Sequence, residues 1–326
     1  FNLINNGFFD RAFVYLYIIS SYCMRELKIK DISWISLVHP GKEDIDELAR
    51  RFPDIHPVVI EELLTPTMRQ RVENYDNHLF MVFYFPSFLG AEKKTIAREI
   101  DFILMPNVLI SVQYGDVAAL EDFWHTCEDV RAEHSHYNRT PIHLLYYLLR
   151  HLLGISLKEL DTIEEQIDVL EEQIFAGREK EILEDIALLR RNVLDFRRAF
   201  KPQQLTLDSL IRQGTELYGE KVRPLLADLF GEYLKVWHLL ENHKETLDAL
   251  YETNNSLLTA KINETMRVFT IIAFISFIPT AIANIYGMNI DNIPLTERPD
   301  AFWTILGLMG LTTGFIYALL KWKKLV

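Results

Sequence analysis

Cysteine is nearly missing from this chain: 326 residues contain two, Cys23 and Cys127. No spacing pattern joins them, so a disulfide framework is excluded and the usage fits a reducing cytosol. Basic charge is also in short supply. Lys and Arg number 34 against 46 Asp and Glu, for a formal net charge of −12. Nucleic-acid binding needs a basic footprint and is excluded on that ground. An acidic surface concentrates counter-ions, which suits a protein that handles cations, and it also keeps a large folded part soluble. No G-x-x-x-x-G-K-[ST] stretch occurs, so nothing in the sequence implies work driven by ATP, and no organic cofactor is implied. No Ser/His/Asp or Cys/His grouping stands out, so an enzyme is not expected. His125, Cys127, His134 and His136 cluster without a standard zinc spacing and read as a surface linker. His238 and His243 are five apart and share a helix face poorly.

Long hydrophobic runs, by contrast, are present. Residues 268–286 read VFTIIAFISFIPTAIANIY and residues 301–320 read AFWTILGLMGLTTGFIYALL, both without a formal charge. Each has the length a helix needs to cross about 30 Å of hydrocarbon. Nearly all the charge of the chain lies before Arg267. The loop between the runs carries Asp291, Glu297, Arg298 and Asp300, whereas Lys261 and Arg267 precede the first run and Lys321, Lys323 and Lys324 follow the second. Basic flanks mark the cytoplasmic side, so both termini are expected inside and the loop outside. Pro279 interrupts the first run, with Thr280 and Asn284 beyond it. Freed backbone groups in lipid need neighbours or cavity water, and Asn284 serves either a wet pore or a helix–helix hydrogen bond. Gly310 and Gly314 form G-x-x-x-G, a pattern of close helix approach.

Upstream the chain changes character twice. Residues 1–23 are apolar and aromatic from Phe13 to Cys23, too short for a span. Met24 reads as a native start with the preceding segment non-native or an extension; a signal-like tail is the other reading. Residues 24–140 alternate short apolar runs with turn signals. Strands are predicted at 78–85, 98–106 and 108–114, with a hairpin turn at Pro106-Asn107, and helices at 42–51 and 57–64. This is an α/β domain. Residues 141–265 have helical periodicity. A long amphipathic helix runs to Phe175 and is broken at Ala176-Gly177, a second covers 181–200, and a third starts near Pro224 and continues into the first apolar run. About sixty residues of continuous helix would reach roughly 90 Å, which argues for bundled stalks in an oligomer. Residues 266–326 form the membrane domain.

One set of residues carries a family likeness. Tyr286-Gly287-Met288-Asn289 stands at the outer end of the penultimate run, followed by a short acidic loop, a last span and a Lys-rich tail. Together with NETMRVFTII (263–272), IHPVVIEELL (55–64), RQRVENYDNHLFMV (69–82) and EEQIDVLEEQIF (164–175), it resembles the CorA magnesium transporter family over about residues 24–326. The resemblance implies an α+β membrane protein: an N-terminal α/β cytosolic domain, a long helical stalk continuing into the first of two C-terminal membrane helices, and a funnel-shaped homopentamer in a cell membrane. It implies divalent cations as cargo, Mg²⁺ and often Co²⁺ or Ni²⁺. A Zn²⁺ transporter of the same architecture and a non-transporting two-span coiled-coil signalling protein are the alternatives.

The residues suggest how such a protein would work. Mg²⁺ releases water reluctantly, so a ring of neutral oxygens that holds the hydrated ion through its waters suits a filter. Asn289 amides with the Gly287 carbonyl nearby fit that role, while a simple helix cap is the plainer reading of the pair. Asp291 and Glu297 would gather cations at the outer mouth, although Leu295 stands where the family carries a second acid. Asn263, Met266, Phe269, Ala273, Phe277, Thr280 and Asn284 recur at helical spacing on one broad face. Met266, Phe269 and Phe277 would make an apolar throat that gates by dewetting; lipid or core packing is the alternative. By resemblance, intracellular Mg²⁺ regulates the pore through acids between neighbouring cytosolic domains. Glu61 and Glu62 match that acidic pair, Asp228 its partner, and Asp168 is a weaker candidate.

Overall fold

The structure, a computed structural model, describes residues 24–67, 69–89, 94–129, 140–288, 294 and 299–323. The expectation for residues 1–23 lies outside the described residues. The chain divides into two compact units, Phe1–Tyr251 and Glu252–Val326.

The first unit is built on a six-stranded sheet. Its strands are β1 (Met24–Ile29), β2 (Ile32–Val38), β3 (Arg71–Asn74), β4 (Leu79–Leu89), β5 (Lys94–Leu104) and β6 (Val108–Gln113), in spatial order β1-β2-β6-β5-β4-β3. Only β2 and β6 pair in parallel; every other neighbouring pair is antiparallel. The turn expected at Pro106-Asn107 joins β5 to β6, closed by the Met105 N–H donating to the Val108 carbonyl at 2.9 Å. β4 is buried along most of its length rather than on alternate residues, because helices cover both faces of the sheet.

On one face lie α1 (Lys42–Arg51) and α2 (Pro57–Glu62). Ile45 and Leu48 of α1 and Val59 of α2 pack with Ile35, Phe80, Val82, Ile103 and Ile110 of the strands. α2 starts with Pro57, whose missing N–H costs nothing in a first turn, and His56 Nδ1 accepts the Val58 N–H at 3.3 Å. Against the other face lie α3 (Ala118–Asp129), α4 (Pro141–Phe175), α5 (Leu183–Phe200) and α6 (Gln203–Tyr218). Trp34 of β2 sits 4.8 Å from Trp124 and 5.8 Å from Phe123 of α3, ring centre to ring centre. Its indole N–H donates to Ser111 at 2.9 Å.

α4 ends where the sequence places its break. Gly177 takes φ +85°, and the Arg178 N–H returns to the Gln173 carbonyl at 3.2 Å, a glycine stop that a side chain at that φ would strain. α7 runs unbroken over 64 residues, Arg223–Tyr286, with Pro279 inside it. α8 is Ala301–Trp322. β1, β2, β3, α3 and α6 were not among the predicted elements. The surface linker expected around His125 and Cys127 is corrected for those two residues: both lie on α3, His125 facing Glu128 and Cys127 buried, with its thiol pushed up to about 12 by desolvation. His134 and His136 lie outside the described residues. His243 is buried and pairs with the Leu160 carbonyl at 3.1 Å.

Candidate functional site

α7 and α8 each contain a stretch long and apolar enough to cross a membrane, and neither stretch is buried inside the chain. A core helix of a water-soluble protein would hide such a stretch. Here Phe269, Phe277 and Leu311 are 64%, 68% and 75% exposed. Water makes that exposure costly at about 25 cal/mol per Å², whereas hydrocarbon removes the cost.

The two sides of α7 differ. From residue 271 onward the partly covered positions include Ile271, Ile275, Ile278, Ile282 and Tyr286, a recurrence of three and four that marks one stripe. The seven residues of the expected pore face, Asn263, Met266, Phe269, Ala273, Phe277, Thr280 and Asn284, are all exposed. At about 100° per residue their mean direction is roughly half a turn from that stripe. From Ile271 to Tyr286 the chain therefore partly covers one side of α7 and leaves the opposite side open, whereas residues 261–270 are exposed all round. Polar groups on that face are partly engaged: the Thr280 hydroxyl donates to the Ser276 carbonyl at 2.8 Å, one turn back and next to Pro279.

The end of α7 shows why Gly287 is small. The Gly287 N–H donates to the Ala283 carbonyl at 2.8 Å and the Met288 N–H to the Ile285 carbonyl at 3.4 Å. A Cβ on Gly287 would sit 3.0 Å from the Ala283 oxygen. Close approach, rather than a left-handed turn, is the constraint; the glycines with positive φ among the described residues are Gly177 and Gly219. Asn289, Asp291 and Glu297 lie outside the described residues.

The four expected regulatory acids sit on three elements. Glu61 and Glu62 end α2, Asp168 is on α4 and Asp228 on α7. Glu61, Asp168 and Asp228 are exposed, and Glu62 is partly covered. Among the described residues no three His, Cys, Asp or Glu side chains converge on a metal site. Two of the acids are held by neighbours the sequence gave no reason to single out. Glu62 Oε2 pairs with Arg71, which also holds Glu73 at 2.9 Å. Asp228 Oδ2 accepts the Tyr146 hydroxyl at 2.6 Å, and Arg150 donates to that hydroxyl at 3.0 Å.

A buried polar group was also missed. Asp101 is fully buried on β5; desolvation holds its carboxyl well above the ordinary range, opposed by the Tyr114 hydroxyl, which donates at 2.7 Å, and reinforced by Glu99. Its only sequence signal was an acid inside a strand of apolar residues, which on a two-sided sheet means burial.

Comparison with known proteins agrees with this architecture. Residues 30–322 match the family described as CorA-like Mg2+ transporter protein. The cobalt/magnesium transport protein CorA of Thermotoga maritima is 28% identical over 300 residues, covering 90% of this chain and 83% of that protein. The complete structure of the CorA magnesium transporter from Methanocaldococcus jannaschii superposes with a TM-score of 0.80 at 22% identity, over 90% of this chain and 92% of that one. The structure of the full-length CmaX protein superposes with a TM-score of 0.71 at 20% identity, over 93% and 92%. At such identities the superpositions speak for the fold, while the match from residue 30 to residue 322 speaks for descent. With two membrane-crossing helices at its C-terminal end, the chain is a membrane protein and belongs to the CorA-like Mg2+ transporter family.

Proposed function

We propose that this chain carries Mg²⁺, with Co²⁺ and Ni²⁺ as further cargo, across a membrane through a pore lined by α7. The observation that carries the reading is the side of α7 that the chain itself leaves open, from Ala273 to Asn284, in a member of this family. A single helix face cannot enclose a pore. Several copies arranged around an axis can, and in this reading they number five. Both termini then lie in the cytoplasm and the loop after Tyr286 outside.

In this reading Asp291 and Glu297 raise the cation concentration at the outer mouth. Five Asn289 amides and the Gly287 carbonyls hold the ion through its waters, which spares the dehydration that Mg²⁺ resists. Below them Asn284 and Thr280 keep the path wet. Phe277, Phe269 and Met266 form an apolar constriction that conducts when hydrated and closes when it dries. An inside-negative potential drives a divalent ion inward by about 4.6 kcal/mol per 100 mV, so no nucleotide is consumed. Glu61, Glu62 and Asp228, with Asp168 as a weaker member, form the low-affinity sensor between neighbouring copies. Intracellular Mg²⁺ bound there holds the pore shut.

The test is Mg²⁺ flux into liposomes bearing the purified protein, wild type beside Asn289→Ala, with a potential imposed. Flux in the wild type and its loss in a still-oligomeric variant supports the pore and its filter. Zinc flux that Mg²⁺ fails to compete would move the reading to a zinc transporter of the same build. Absence of flux in both, with inner-face Mg²⁺ removed, would leave the non-transporting two-span protein.

A further inference from the structure

A cleft in the first unit belongs to none of the roles above. It opens where three elements meet: the end of the β4–β5 hairpin, and the facing sides of α4 and α5. An outer part of about 590 Å³ adjoins an inner chamber of about 80 Å³. The outer volume falls in the range of small-molecule sites. Phe88, Thr162, Gln166, Leu189 and Asn192 line both parts and form the wall they share.

The inner chamber holds Glu159. Its carboxyl accepts the Phe88 backbone N–H, and its Oε2 is buried with no hydrogen-bond partner among the described residues. A buried acceptor left unmatched costs about 1–3 kcal/mol and calls for an explanation. Glu165 and Asp185 line the outer part. Among the described residues no Lys, Arg or His lines either part, and three carboxyl groups do: Glu159, Glu165 and Asp185. Its remaining walls combine apolar Phe88, Val169, Leu170, Leu188 and Leu189 with polar Thr162, Gln166, Gln173 and Asn192.

We propose that this cleft binds a linear aliphatic diamine, one ammonium on Glu159 Oε2, the methylene chain along the apolar walls, and the second ammonium near Glu165 and Asp185. Glu159 and Glu165 are six positions apart on α4, about 9 Å along the axis at 1.5 Å per residue, a separation that a five- or six-carbon diamine spans. A hydrated Mg²⁺ ion needs polar groups on every side of its waters, whereas Phe88, Val169, Leu170, Leu188 and Leu189 give the cleft a continuous hydrocarbon share that a methylene chain uses and an ion does not. An ammonium satisfies the orphaned oxygen directly, and its chain replaces water against the walls. Burial pushes the Glu159 carboxyl up to about 7. The neutral form therefore dominates at pH 6 and the binding form at pH 8, while an aliphatic amine stays charged throughout.

The experiment is calorimetry on the full chain in detergent micelles, titrated with 1,6-diaminohexane in the presence and absence of Mg²⁺. Saturable binding is expected, about tenfold tighter at pH 8 than at pH 6, weakened at least tenfold by Glu159→Gln, and absent for 1,6-hexanediol. Leu189→Trp fills the shared wall and should block binding while Glu159 is intact, which keeps the test decisive if Glu159→Gln fails to fold. Each folded variant is checked for an unchanged oligomer. No saturable binding, affinity unaltered by both substitutions, or displacement of the diamine by Mg²⁺ at equal concentration would overturn the proposal. The proposal does not depend on the pore, so loss of flux in Asn289→Ala leaves it untouched.

Discussion

Phenylalanine behaves in opposite ways in the two units of this chain. In the first, Phe80, Phe83 and Phe102 are all but fully buried, with Phe83 and Phe102 edge to face at 6.2 Å. In the second, Phe274, Phe277 and Phe302 are 62%, 68% and 69% exposed. The residue has not changed; the solvent has. In the first unit apolar side chains are driven inward by water, so that the described strands, α1 to α6 and the first part of α7 enclose a core. In the second they are turned outward, because hydrocarbon is what receives them. The first unit presents carboxylates to an aqueous phase containing cations, and the second arranges a few polar groups along an otherwise apolar helix.

The contrast can be broken or sharpened by substitution. The largest effect is expected from Phe102→Ala, which empties a close-packed site and should cost about 3–5 kcal/mol. Phe274→Ala, of the same chemistry, should change the thermal midpoint of the micelle-borne chain little; equal losses at the two positions would end the comparison. Next is Leu311→Arg, at a position 75% exposed near the middle of α8. A charge there costs about 3 kcal/mol on insertion, so the membrane-embedded fraction should fall in a fractionation assay. An arginine at Phe175, 70% exposed at the end of α4, should leave that fraction unchanged.

A smaller effect concerns charge in the first unit. The Glu159 carboxyl lies at about 7 in the fold against 4.5 for an open glutamate. The folded chain therefore favours the protonated form: no penalty exists below pH 4.5, one builds as pH rises from 4.5 to about 7, and it is fully present above that. Glu159→Gln should match the wild type near pH 4.5 and be more stable at pH 8 by about 2 kcal/mol, up to about 3. Denaturant unfolding at the two pH values reads this directly, and equal stability at pH 8 would mean that the carboxyl is not desolvated. The smallest effect is at Gly219, φ +86° with open space around it. Gly219→Ala should cost about 1 kcal/mol through backbone strain alone, a shift of a few degrees in the melting midpoint.

Much of this was legible in the amino-acid order. The two apolar runs coincide with parts of α7 and α8, because a span is a local property of about twenty consecutive residues. α1 begins and ends where its periodicity predicts, and Gly177 stops α4 because glycine tolerates a φ that other residues resist. β1 and β3 were not legible. β1 carries Arg25, Glu26 and Lys28 among its six residues, and β3 is only Arg71–Asn74; both are edge strands whose identity comes from the strand they pair with. α3 was hidden by the His and Cys residues that suggested a linker, and α6 by its place between Pro202 and Gly219.

Of the candidate site, the sequence gave the residue types and one helical face. It determined the membrane spans, the long helix, the acidic balance and the family likeness, all of which are written in near-neighbour patterns and in motifs short enough to read along the chain. Tertiary structure alone decided that this face lies opposite the partly covered stripe of α7, that Arg71 holds Glu62 and Tyr146 holds Asp228, and that Glu159 ends in a cleft with an oxygen unmatched. Those facts depend on which distant residues share a space. Arg71 and Glu62 are nine positions apart, Tyr146 and Asp228 eighty-two, and no local periodicity encodes a meeting at such a separation.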